Sequence, residues 1–94
     1  MILTFDATDR WKDIQAAVHP QDLTTRPQVV RKDWNTPFWQ LIDAFRSKTG
    51  VGALLNTSFN LHGYPIVCTP EQALWTFQNS GLDALVLGDY VIVR

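Results

Sequence analysis

Apolar residues fall into short blocks separated by polar and turn-forming residues, and their spacing alternates between helical and extended. Phe38, Leu41, Ile42 and Phe45 recur at i, i+3, i+4 and i+7, which predicts one buried stripe on a helix. Asn35-Thr36-Pro37 marks the start of that helix: a capping side chain, then Pro at the first helical position, where its missing N–H costs nothing. Arg46 and Lys48 suit the last turn, where positive charge complements the helix dipole, and Gly50 ends it. A second helix starts at Thr69-Pro70-Glu71-Gln72, with Gln72 placed to close a capping box on Thr69. Ala73, Leu74 and Phe77 form its buried face and Gly81 its end. A third, brief helix is capped by Thr8 and runs to about Val18, with Trp11, Ile14, Gln15 and Val18 in loose helical spacing.

Between these helices lie β-prone runs at Ile2–Phe5, Gln28–Arg31, Val51–Leu55, Tyr64–Val67, Leu85–Leu87 and Tyr90–Val93. The last two flank Gly88-Asp89, which predicts either a hairpin or one strand broken by a bulge. His19–Gln28 reads as an extended loop, and Asn56–Gly63 as a polar one. The mixed order of elements implies an α/β class, with α+β as the variant. A chain of 94 residues without repeats or linkers is expected to be a single domain over 1–94.

Composition narrows the function. The aromatic content, four Trp, five Phe and two Tyr, gives enough apolar area for a core. The net charge of -1 argues against nucleic acid as a partner, while leaving room for a small anion that needs only local positive charge. Cys68 is the one cysteine, so no intramolecular disulfide forms, which fits a reducing, cytoplasmic setting. Met1–Asp6 lacks the pattern of a signal peptide, and no apolar run approaches the ~20 residues of a membrane span.

Two polar constellations can carry chemistry. Asn56-Thr57-Ser58-Phe59-Asn60 follows an apolar run, and ligands in α/β sheets bind at the carboxyl ends of strands. Its hydroxyls and amides offer both donors and acceptors, suited to phosphate oxygens or a carbamoyl group, and Gly63 permits a sharp turn. The same residue types also serve turns by satisfying their own backbone. The second constellation holds His19, Asp22, Thr24, Thr25, Arg26 and Gln28. Arg26 can grip a phosphate or carboxylate in a bidentate manner and His19 can donate to the same anion; alternatively, Arg26 pairs with Asp22 at the surface. Cys68 lacks a neighbouring nucleophile motif and reads as a small buried hydrophobe. His19, His62 and Cys68 lack metal-ligand spacing, so no metal site is expected. Neither a GxxxxGK[ST] loop nor a GxGxxG fingerprint is present.

The run from Leu54 through Asn56-Thr57-Ser58-Phe59-Asn60-Leu61-His62-Gly63 to Val67 resembles the most recognisable segment of the O-carbamoyltransferase family, which includes nodulation-factor, cephamycin and tobramycin carbamoylating enzymes. Thr69–Ala73 and Gly81–Gly88 continue the resemblance in order. Upstream, His19, Asp22, Thr24, Arg26 and Gln28 are similar to a family stretch of His, Asp, Gly, Thr, Arg and Gln. Here one extra residue separates His19 from Asp22, and Leu23 stands where the family has Gly.

That resemblance implies a carboxy-terminal part of YrdC-like fold, a partial twisted mixed sheet with two main helices. It also implies use of ATP with magnesium and carbamoyl phosphate to make carbamoyl adenylate. Transfer to an acceptor hydroxyl would need an amino-terminal domain of actin-like ATPase architecture, absent from this chain. Arg26 is then assigned to anion binding, and Asn56, Thr57, Ser58, Asn60 and His19 to contacts with the nucleotide or carbamoyl substrate; no catalytic residue is assigned. The alternative is a non-catalytic binding or oligomerisation module that keeps the fold, since an incomplete sheet leaves an edge and apolar surface for self-association. A YrdC-like role in RNA modification ranks third, given the lack of basic patches.

Overall fold

A computed structural model of the chain describes residues 3–94, which divide into two units, one running to Asn56 and the other comprising Thr57–Arg94. The first unit holds strand β1 (Phe5–Asp6), a 3-10 helical segment (Asp9–Ala17), strand β2 (Thr24–Thr25) and helix α1 (Thr36–Thr49). β1 and β2 pair antiparallel, with Phe5 opposite Thr25 and Asp6 opposite Thr24, and Val18 adds a bridge to Thr25. The loop that brings β2 back is closed by its own backbone. The His19 N–H donates to the Thr24 carbonyl at 2.8 Å and the Leu23 N–H to the His19 carbonyl at 3.0 Å. Closing it forces Leu23 to φ +55, in the left-handed region that glycine occupies freely.

α1 forms as its termini predict. The Asn35 side chain accepts from the Phe38 N–H at 3.2 Å, and Gly50, at φ +79, returns its N–H to the Arg46 carbonyl at 2.8 Å. The helix starts at Thr36, so Pro37 is its second residue rather than its first. Tryptophans of this unit lie under cations: Trp34 under the Arg31 guanidinium at 4.8 Å and Trp39 under the Lys32 ammonium at 4.9 Å. Arg31 also forks onto Asp33, which holds that carboxyl below its ordinary range.

The second unit holds helix α2 (Pro70–Gln78) and strands β3 (Ala84–Leu87) and β4 (Tyr90–Val93). β3 and β4 form an antiparallel hairpin with Val86 opposite Val91, closed by Gly88-Asp89. Gly88 takes φ +59, the sign pattern of a type II′ turn. Leu85 is buried against Ala73 and Phe77 of α2, with Phe59, Val67, Leu87 and Ile92 packed around them. The end of α2 is closed by a side chain far along the chain. The Arg94 guanidinium lies over the Phe77 ring at 5.1 Å and donates to the carbonyls of Phe77, Gln78 and Ser80, the last at 2.6 Å. A cation at a helix carboxyl end satisfies carbonyls that the helix itself leaves open.

The expected mixed class of helix and strand holds, with two antiparallel two-stranded sheets. Several local expectations are corrected. α1 buries no residue: Leu41 is 55% exposed, so its apolar stripe faces outward. Gln28–Arg31, Val51–Leu55 and Tyr64–Val67 are not strands, because none enters a ladder among the described residues. The first strand lies at Phe5–Asp6, while Ile2 lies outside the described residues. β2 lies inside the expected loop, and the segment capped by Thr8 is a 3-10 helix kinked at Ile14. Thr69 caps α2 by accepting from the Gln72 N–H at 3.3 Å, but Gln72 Oε1 accepts from the Cys68 N–H at 2.9 Å, one residue before the expected partner. Cys68 is exposed rather than buried, since it stands at that helix entrance.

Replacing Arg94 by Ala should lower stability by about 1 kcal/mol or more through the orphaned carbonyls, read as a fall of roughly 4–8 °C in the thermal midpoint. Leu23→Gly should act in the opposite sense, raising stability by about 0.5–1 kcal/mol in urea unfolding, because strain relief exceeds the entropy that glycine loses. An unchanged or lower urea midpoint would show that Leu23 contributes through its side chain instead.

Candidate functional site

In the first unit, the loop between the 3-10 segment and β2 walls an open groove of about 480 Å³ lined by Thr4, Ala17, His19, Asp22, Thr24, Thr25 and Arg26. The carboxylate of Asp22 organises this wall. Its Oδ1 accepts from the Thr24 N–H at 3.1 Å and the Thr24 hydroxyl at 2.8 Å, and stands 3.0 Å from His19 Nδ1. The Thr24 hydroxyl, then the Thr24 N–H, and to a lesser degree His19, hold the Asp22 carboxyl below its ordinary range. Its stabilising contribution is therefore present above the ordinary carboxylate pKa and is lost as pH falls through the lower folded value.

This wiring bears on the alternative in which Arg26 pairs with Asp22 at the surface. Asp22 is engaged by His19 and Thr24, and among the described residues no carboxylate forms an ion pair with Arg26. A guanidinium left in a groove beside a histidine is equipped to hold an anion. Asp22 and Thr24 belong to the constellation the sequence offers but carry no assigned contact there; the i, i+2 spacing of Asp and Thr, which favours a side-chain-closed turn, is the signal that points to their pairing.

The second unit has its own, smaller groove of about 230 Å³, lined by Thr57, Ser58, Phe59, Asn60, Leu61, Thr76, Ser80 and Leu82. Thr57, Ser58 and Asn60 are thus brought together as expected. Asn60, however, spends its amide on its own turn, donating to the carbonyls of Leu61 at 3.2 Å and Tyr64 at 3.0 Å. Among the described residues the Ser58 hydroxyl has no hydrogen-bond partner, whereas the Thr57 hydroxyl makes a long contact of 3.4 Å to the Ser58 carbonyl. Thr76 and Ser80, which sequence reading passed over, come from the inner face of α2 and its exit. Their spacing from Ala73, at i+3 and i+7, is what could have flagged them. Asn56 belongs to the first unit, where its amide donates to Gln28 Oε1 at 3.0 Å. Among the described residues no three His, Cys, Asp or Glu side chains gather in a metal-holding group, and no helix is long and apolar enough to cross a membrane.

Comparison with known proteins gives the chain a family. The family described as Carbamoyltransferase C-terminus matches residues 1–94. An uncharacterised protein of Methanocaldococcus jannaschii is 46% identical over 83 residues, covering 88% of this chain and 16% of that protein. The nodulation protein NolNO of Sinorhizobium fredii is 44% identical over 83 residues, covering 88% of this chain and 12% of its own length. The 3'-hydroxymethylcephem-O-carbamoyltransferase of Amycolatopsis lactamdurans is 33% identical over 73 residues, covering 78% of this chain and 14% of the enzyme. The chain therefore spans a small fraction of the curated relatives it matches. With the family matched from end to end, the chain belongs to the carbamoyltransferase carboxy-terminal family.

Proposed function

We propose that this chain supplies anion-binding groups to an ATP-dependent O-carbamoyltransferase, helping to hold carbamoyl phosphate and ATP during formation of a carbamoyl adenylate. The observation that carries this reading is Arg26: it lines a groove with His19, and the carboxylate that lines that groove, Asp22, is engaged by His19 and Thr24. Bringing two polyanions together requires fixed positive charge and donors to offset their repulsion. Arg26 and His19 provide these in one groove, and the Ser58 and Thr57 hydroxyls offer donors in the other. Neither groove offers a set of carboxylates for magnesium, so that ion is assigned to the nucleotide. Carbamoyl transfer to a hydroxyl is assigned to an amino-terminal carbamoyltransferase domain, with the present chain as its YrdC-like, cytoplasmic complement.

A second reading, an interaction or oligomerisation module, is favoured by the outer face of the hairpin. Val86, Val91 and Val93 there are 70%, 66% and 69% exposed, so β3 and β4 carry apolar side chains on both faces, as strands covered on both sides do.

Calorimetric titration separates the readings. Carbamoyl phosphate and ATP–magnesium, added separately, should bind. Arg26→Ala and Ser58→Ala should each weaken the contacts they make by ~1–3 kcal/mol, the scale of hydrogen bonds to charged groups. A folded sample that binds neither ligand, alone or with the amino-terminal domain supplied, removes the enzymatic reading and leaves the interaction module.

A further inference from the structure

The hydrogen bonds around Asp22 fix more than the shape of a loop. An ionised carboxylate only accepts, and Asp22 Oδ1 already receives two hydrogen bonds from Thr24. The His19 nitrogen 3.0 Å away, Nδ1, must therefore be a donor, which fixes the ring's proton on that atom. Nε2 is the nitrogen left for a ligand. In the neutral ring it carries a lone pair and repels an anion; only the imidazolium presents an N–H there.

We propose that His19, held by Asp22 with its proton on Nδ1, grips a phosphate-bearing anion through Nε2 only in the protonated form, so that filling the groove beside Arg26 takes up a proton. Asp22 is then a positioning residue: it touches no ligand and acts by orienting His19. The charged groups lining the groove besides His19 are Asp22 and Arg26. A bound anion masks Arg26 and adds a second negative partner, so both changes push His19 toward protonation. The proton comes from solvent and is returned when the anion leaves. This inference rests on the reading of the groove as an anion site.

The test uses the whole chain with isotope-labelled histidine, whose two rings, His19 and His62, resolve by NMR and provide a built-in control. Three results are expected. At high pH the nitrogen shifts of His19 show the Nδ1–H tautomer, against the Nε2–H tautomer usual for an unconstrained ring. Saturating carbamoyl phosphate, and separately ATP–magnesium, is titrated in; the anion that occupies this groove raises the His19 midpoint by about half a pH unit or more and leaves His62 in place. Asp22→Ala, which removes the shared acceptor, loses the tautomer bias in the free chain, whereas Asp22→Asn, whose Oδ1 still accepts from Thr24 and from His19 Nδ1–H, keeps it. A neutral His19 in the Nε2–H tautomer overturns the positioning role of Asp22 on the wild-type chain alone. An anion that binds, and is weakened by Arg26→Ala, without moving the His19 midpoint overturns the proton linkage while leaving the anion site standing. Absence of any binding removes the anion site and the inference together.

Discussion

Phe77 against Leu85 is the contact on which the second unit is built. With Ala73 these are the buried apolar residues described, and they join α2 to β3 across an otherwise open hairpin. A core this small gives little free energy to spare. The unit adds polar closure where burial runs out: Arg94 seals the end of α2, and Val67 returns its N–H to the Phe59 carbonyl at 2.9 Å. The same helix serves two purposes by angle alone. Ala73 and Phe77 face the core, while Thr76 lines the Thr57–Leu61 groove. Whatever keeps α2 seated on β3 therefore also keeps that groove's wall in place.

The first unit is organised by the opposite means. None of its described residues is buried, and its definition comes from hydrogen bonds: the β1–β2 pairing, the backbone closure of the His19–Thr24 loop and the carboxylate of Asp22. Its apolar stripe on α1 faces outward. Strong local signals with no matching burial leave α1 with an apolar stripe that no described residue covers.

How much was legible in the sequence follows from the range of the interactions concerned. Both long helices were readable because Asn35, Gly50 and Thr69 act within a turn of themselves, through hydrogen bonds that depend on nothing remote. The hairpin was readable through Gly88-Asp89 as one of two alternatives, the other a single strand broken by a bulge, and the β3–β4 pairing selects it. Strands at Val51–Leu55 and Tyr64–Val67 were over-read, because an apolar extended run becomes a strand only when another segment offers a ladder. The buried stripe on α1 failed likewise: periodicity names the face but not the partner. In the candidate site, the sequence names Arg26, His19 and Ser58 as candidates by residue type. The engagement of Asp22 by Thr24 was signalled by their i, i+2 spacing, whereas its approach to His19 required a loop bent through a left-handed leucine.

The placement of the tryptophans has an optical consequence. Trp11, Trp34 and Trp39 lie in the first unit, each beneath a lysine or arginine, whereas Trp75 lies in the second with its ring centroid 5.2 Å from that of Tyr64. Intrinsic emission is thus weighted three to one toward the half of the chain that lacks a core, in chromophores whose surroundings are ionic and hence responsive to salt. Events in the half that has a core are seen through Trp75, with Tyr64 placed as its energy donor, so replacing Trp75 by Phe silences that half while the three tryptophans of the other go on reporting.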